Sequence, residues 1–453
     1  MPTTRLSALD ASFLEVESAT AHMHVGWAAT FTPPDESQRP SYDELLHHIA
    51  ARIGRAPRYR QRLARVPFGV HDPEWADHDE FDPTEHVRAS EAEDLDELVA
   101  DVLSRPLARD RPLWELWIAD RLADGRVGMV GKAHHCMVDG IAAVELSTML
   151  LDPERHANAT EPDGWRAAPA PGPVELLGRG LIDRAREQLD LMRAPLAALT
   201  SPRRLLSLPG RALRTAHAVG DALVPSASAT PFNEPSSPHR HLATLRRPLA
   251  DLRKVKGRFG VTVNDVMLAA CAGATREFLL ARDSEPTPLK TMVPVNVRSG
   301  DADELGNRIS FMFVALPCDE PDPLMRLFSV NHQTATRKRD GVPEEGDAVL
   351  RAAGYAPAPV QRVLSHLMAS PRTFNLVISN IPGPRIPLYL RGCRLEEAYP
   401  VVPLSERHAV SIGMTTVRDD ACFGLYADRE TLPDASLLAE RLDAAIDELL
   451  ALV

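Results

Sequence analysis

The sequence predicts an α/β protein built in two units. Three observations carry this. The chain has 453 residues, long for one hydrophobic core. Strand-like and helix-like segments alternate at each end of it. Between them, residues 156 to 240 change character, with prolines at Pro162, Pro169, Pro171, Pro173, Pro195, Pro202, Pro209, Pro225, Pro231, Pro235 and Pro238. The expected organisation is a first domain over 1–155, a connector over 156–240 and a second domain over 241–453.

In the first unit, Met23 to Phe31 reads as a strand. Tyr42 to Ile53 reads as a helix with Ser41 as its N-cap. Leu95 to Leu103 is helical, with Glu91, Glu93 and Asp94 near its start to suit the helix dipole. Trp114 to Asp120 and Val127 to Ala133 are strands joined by the turn-like Asp124-Gly125. In the connector, Leu176 to Met192 and Arg203 to Val219 are amphipathic. Trp165 to Pro225 holds nine arginines, no lysine and five acids, opposite in sign to the chain as a whole. That stretch suits either a solvated linker or a basic patch that docks on anionic lipid.

In the second unit, Thr262 to Leu280 reads as a long helix, and Leu289 to Val297 and Ile309 to Leu316 as strands. Asn375 to Ser379 is a short strand entering an Asn-Ile-Pro-Gly-Pro turn. Val410 to Thr416 and Ala421 to Tyr426 pair around Arg418-Asp419-Asp420, and Leu437 to Leu452 closes as an amphipathic helix.

Bulk properties exclude several classes. A composition of 44% hydrophobic and 25% charged residues is globular. A net charge of -12 argues against nucleic acid as a partner, since such proteins carry a basic footprint. Cys136, Cys271, Cys318, Cys393 and Cys422 are scattered and odd in number, which fits free thiols in a reducing compartment. Neither a secretory signal nor an 18-residue apolar run is present, so a cytoplasmic protein is expected. Were it to work on lipid, it would have to do so peripherally, at the inner membrane face or on lipid inclusions.

The chemistry concentrates at Lys132-Ala133-His134-His135-Cys136-Met137-Val138-Asp139-Gly140, which reads His-His-x-x-x-Asp-Gly. Val127 to Val130 leads into it and the amphipathic Ile141 to Leu151 leads out, placing it between a buried strand and a helix. Side chains alternate along a strand, so His134 and His135 divide their labour: one faces a cavity and one is part of the wall. A metal reading fails on the same divergence and on the lack of further ligands at zinc-type spacing. A covalent acyl-enzyme lacks its Gly-x-Ser-x-Gly elbow.

The motif and its companions resemble the wax ester synthase/diacylglycerol acyltransferase family. The companions are Leu6-Ser7-Ala8-Leu9-Asp10-Ala11-Ser12-Phe13, His22-Met23-His24-Val25-Gly26, Pro112-Leu113-Trp114-Glu115, Val263-Asn264-Asp265-Val266, Pro294-Val295-Asn296-Val297-Arg298, Gly306-Asn307-Arg308 and Ser379-Asn380-Ile381-Pro382-Gly383-Pro384, in the family's order. The resemblance implies two chloramphenicol-acetyltransferase-like domains, each a mixed sheet flanked by helices, with a channel between them. It implies acyl-CoA as co-substrate, no metal or redox cofactor, and diacylglycerol or a fatty alcohol as acceptor. It makes His135 the general base, with His134 in support. Asp139 would brace the turn, which Gly140 lets close tightly. Asn264 would lie near the channel; Asp265 is equally readable as a helix cap. Ser379 and Asn380 are further channel candidates whose Pro-Gly-Pro context also suits a plain turn. Two other readings stay open: a same-fold acyltransferase with a different donor or alcohol, and a non-catalytic lipid-binding protein.

Overall fold

The computed structural model describes residues 4–138, 150–156, 163–199, 227–296, 309–339 and 358–453. The first half runs β1 (Thr4–Arg5), α1 (Ala8–Glu15), β2 (His24–Thr32), α2 (Tyr42–Arg52), β3 (Gln61–Ala64), β4 (Glu74–Asp77), β5 (Val87–Ala89), α3 (Leu95–Leu103), β6 (Trp114–Ala119) and β7 (Val127–His134). Helix α4 (Pro173–Leu199) follows. Then come β8 (Arg240–Pro248), α5 (Leu249–Phe259), α6 (Val263–Leu280), β9 (Leu289–Asn296), β10 (Ile309–Leu316), α7 (Pro323–Arg339) and α8 (Ala358–Met368). The chain ends with β11 (Leu376–Ile381), β12 (Tyr389–Leu390), β13 (Cys393–Val401), β14 (Val410–Val417), β15 (Asp420–Asp428) and α9 (Ala435–Leu450).

Local chemistry fixes the helix starts. Ser41 and Glu44 form a reciprocal capping box at α2, and Thr262 and Asp265 do the same at α6. Leu45 and Ile49 of α2 are buried, as are Leu98, Val99 and Val102 of α3. Helix α6 is covered along almost its whole length, and its Ala-, Gly- and Cys-rich middle lets α9 and α7 come close.

Two six-stranded mixed sheets result, with a three-stranded sheet, β1-β4-β3, beside them. One sheet is ordered β10-β9-β11-β14-β15-β8, with β11 parallel to both its neighbours. The other is ordered β12-β13-β2-β7-β6-β5. Strands β12 and β13 thus serve the N-terminal sheet, although the sequence places them within the second unit. Strand β13 pairs antiparallel with β2, from Arg394 opposite Thr32 to Val401 opposite Gly26. It also lies across β14 and β15. Gly413 and Gly424 make that crossing possible: a Cβ on them would come within 2.8 Å and 2.4 Å of Pro400 atoms. Strand β13 therefore bridges the two cores, beside the packing of α3 on β8.

The Arg-rich segment Arg203 to Val219, with Asp139, Gly140 and the Gly306-Asn307-Arg308 block, lies outside the described residues. All five cysteines are free and buried. No helix among the described residues is long and apolar enough to cross a membrane.

Candidate active site

Strand β7 is buried from end to end and delivers the histidines at its C-terminal edge. Lys132 anchors that edge. Its ammonium donates to the carbonyls of Val102, in the last turn of α3, and Arg105, just beyond that helix, each at 2.7 Å, and faces Glu115 at 3.3 Å. This lysine is structural.

His134 is the last residue of β7 and His135 already belongs to a turn. The His134 N–H donates to Leu113 O and the His135 N–H to Met23 O, both at 2.9 Å; the Met137 N–H closes the turn on His134 O at 2.9 Å. Met23 has φ 50°, a left-handed conformation that a side chain adopts only when its surroundings impose it. Strain is thus stored at the residue whose carbonyl holds His135 in place.

The two imidazoles sit in different environments. His134 has no exposed surface. Its Nδ1 accepts the Cys136 N–H at 3.1 Å, so in the neutral ring the proton sits on Nε2, which faces the Glu17 carboxylate at 3.9 Å. Burial, and then the charge of Arg109, hold its pKa well below the usual histidine value. Glu17 is committed to an ion pair with Arg109. His24, directly opposite His134 in the β2–β7 register, is buried and likewise kept neutral, chiefly by desolvation. These rings are wall. His135 is only partly buried, and its ring lies flat on Phe13 of α1, with centroids 3.8 Å apart and planes 8° from parallel.

Cys136 is buried, and desolvation pushes its thiol well above the ordinary range, so it is a poor nucleophile. Asp265 is buried and committed. It accepts from the Thr262 N–H at 2.9 Å, Thr334 Oγ1 at 2.6 Å and Asn331 Nδ2 at 3.0 Å, so it caps α6 and ties down α7. Burial alone would raise its pKa; these hydrogen bonds bring it below the ordinary carboxylate value. Asn264, beside it, is half-buried; Ser379 is buried in β11 opposite Gly413, and Asn380 is exposed. These three come from α6 and β11, not from the strand and turn that carry the histidines. Among the described residues, no group of three His, Cys, Asp or Glu suits a metal.

Two small apolar cavities follow β2. One, about 30 Å³, reaches from Ala133 and Lys132 past Val25 and Trp27 to Leu150. The next, about 50 Å³, shares Val25, Trp27 and Leu150 and is closed by Tyr399, Ile381, Pro384 and Thr415 from the later sequence. A larger space of about 440 Å³ is polar and lies beside α2 and Arg391, lined by residues other than the histidine turn. Neither apolar cavity is lined by His134 or His135.

Phe13, Glu17 and Arg109 were not singled out individually from the sequence. Phe13 closes the opening block of the resemblance, which was its one signal. Glu17 and Arg109 sit in loops whose spatial meeting no local pattern encodes.

Residues 6–267 match the wax ester synthase/diacylglycerol acyltransferase catalytic domain, and residues 305–450 match the WS/DGAT C-terminal domain. A probable diacylglycerol O-acyltransferase of Mycobacterium tuberculosis is 33% identical over 99% of this chain and 96% of its own. A second, putative one from that organism is 31% identical over 98% of this chain and 90% of its own. Among solved structures, the wax ester synthase/diacylglycerol acyltransferase of Marinobacter aquaeolei VT8 superposes with a TM-score of 0.69 at 26% identity, covering 98% of both chains. The trichothecene 15-O-acetyltransferase of Fusarium sporotrichioides shares the fold at 13% identity, with a TM-score of 0.63 over 99% of this chain and 95% of its own. With both domain models matched in order along most of its length, the chain belongs to the wax ester synthase/diacylglycerol acyltransferase family.

Proposed function

We propose that this protein transfers a long-chain acyl group from CoA to the hydroxyl of diacylglycerol, and secondarily to a fatty alcohol, with His135 as general base. The observation that carries the reading is the inequality of the two histidines. His134 is sealed, neutral and hydrogen-bonded within its own turn; His135 is partly open and leads the chain out of the strand. An imidazole near its ordinary pKa of about 6.5 accepts a proton at neutral pH. The acceptor oxygen attacks the thioester carbonyl while His135 takes its proton. The tetrahedral oxyanion collapses, the C–S bond breaks, and the CoA thiolate recovers the proton from the imidazolium. The charge on the intermediate calls for hydrogen-bond donors, a role open to Asn264.

Labelled palmitoyl-CoA offered with dioleoylglycerol or hexadecanol, with free thiol followed alongside, tests this. Thiol release matched by triacylglycerol or wax ester, and lost in His135→Ala while acyl-CoA still binds, is the expected result. A fully active His135→Ala would remove the base assignment. Binding of acyl-CoA with no thiol released to either alcohol would favour a lipid-binding protein or another acceptor.

We also place the working enzyme in the cytoplasm, in peripheral contact with lipid. Val174, Leu181, Ile182 and Leu189 fall on one outward side of α4 and are exposed. Phe68 is 92% exposed at a turn beside that helix. A single-sided apolar stripe followed by arginine-rich sequence suits an anionic surface. Flotation with phosphatidylglycerol vesicles, compared with a Leu181→Asp/Ile182→Asp variant, tests this; equal binding would refute it.

A further inference from the structure

The Phe13 and His135 rings stack, with centroids 3.8 Å apart and planes 8° from parallel. A cation over an aromatic face is attracted to it. The contact therefore strengthens when the imidazole takes up a proton. An interaction that strengthens as the base takes its proton favours the transition state over the ground state.

The surroundings give this contact a task. Around the histidine turn, His134 comes from the turn itself, Arg109 and Glu17 from flanking loops, and His24 and His22 from β2 and its approach. Asp10 and Arg58 act on the neighbouring Cys136. Glu17 is neutralised by Arg109, and His134 and His24 are kept uncharged by burial. The face of Phe13 adds an attraction for a positive charge that costs no buried carboxylate. The ring is well held. Helix α1 starts at a Ser7 cap, packs against α8, and is tied to it by Glu15 and Arg362 at 2.6 Å.

We propose that Phe13 is a positioning residue that fixes the plane of the His135 imidazole and stabilises its protonated form while the acceptor is being deprotonated. This rests on the reading of His135 as the base. The test is kcat and KM for thiol release from palmitoyl-CoA, from about pH 5.5 to 9, in wild type, Phe13→Leu, Phe13→Tyr and His135→Ala. Phe13→Leu is expected to lower kcat roughly 5- to 30-fold at nearly constant KM. Losing stabilisation of the cation lowers the pKa of the base, so the acid limb of kcat/KM moves to lower pH, by about 0.5 to 1 unit. Phe13→Tyr, which keeps the face, restores both. Should the leucine variant fold poorly, pentafluorophenylalanine at position 13 keeps the shape and reverses the face potential; it should shift the limb as leucine does. An acid limb that stays put in the leucine and fluorinated variants, or equal losses in Leu and Tyr, would overturn the proposal and leave His135 as base untouched. Full activity in His135→Ala would instead overturn the reading beneath it.

Discussion

Removing the carboxylate of Asp428 should unfasten the two halves of the molecule. Asp428 ends β15 with its side chain fully buried, and Arg240, 2% exposed, meets it at 3.1 Å. The carboxylate also accepts from the Ser237 N–H at 2.6 Å, Ser237 Oγ at 3.1 Å, and the N–H groups of Glu430 and Thr431 at 3.0 Å and 2.9 Å. Arg240 reaches in the other direction: its Nη2 donates to Thr20 O and its backbone N–H to Ser104 Oγ. Thr20 lies three residues past Glu17, on the loop that serves the histidine turn.

Deleting one partner of a buried pair strands the other charge, at about 3–5 kcal/mol. Asp428→Ala also strands three backbone donors, so the upper half of that range is expected. Arg240→Met leaves Asp428 with four remaining donors and should cost less, about 2 kcal/mol. In the double variant neither charge is stranded, so the total should fall short of the sum by about 2 kcal/mol. Urea unfolding of the four proteins gives the cycle. Losses that add to within about 0.5 kcal/mol would show the pair to be uncoupled and refute the reasoning.

Other consequences follow from single sites. His48 donates from Nε2 to Leu150 O at 2.9 Å and accepts from Arg52, which is paired with Asp152; burial lowers its pKa to about 4. A depressed histidine lends stability that is complete above the unfolded value near 6.5 and is lost as pH falls towards 4, about 3 kcal/mol in all. His48→Gln should lack that share of the acid sensitivity in urea titrations at neutral and acid pH; equal pH slopes would contradict it. Cys136→Ala should keep turnover within about a factor of two, because its thiol is held protonated; loss of turnover with an intact fold would implicate the thiol. Asp265→Ala should lower stability by about 2–4 kcal/mol without altering the KM for acyl-CoA, since its oxygens are spent on Thr262, Thr334 and Asn331. A raised KM with unchanged stability would make it a ligand contact after all.

Much of the fold was legible where the code is local. The cap at Ser41 and the strands from Val127 and Ile309 fall where their patterns place them, whereas α6 is capped by Thr262 rather than by Asn264 or Asp265. Strand β13 shows where local reading ends. Nothing in Cys393–Val401 says that its partner is β2, hundreds of residues earlier, because register is set by which faces need covering. The same holds for Lys132, whose carbonyl partners on α3 and beyond come only with tertiary structure.

The histidine pair shows two neighbours being separated by a route other than strand alternation. Strand alternation alone would send adjacent side chains to opposite faces. In the structure His135 has already left β7, and a turn pinned to the strained Met23 carbonyl does the separating. A strand would have tied His135 to the pleat of the sheet. A turn instead lets its plane be set from outside, by Phe13, while His134 stays locked in the wall by the Cys136 N–H that its Nδ1 accepts and by burial. Adjacent histidines thus reach unequal exposure at a cost of one unfavourable backbone angle, which the surrounding core is large enough to hold.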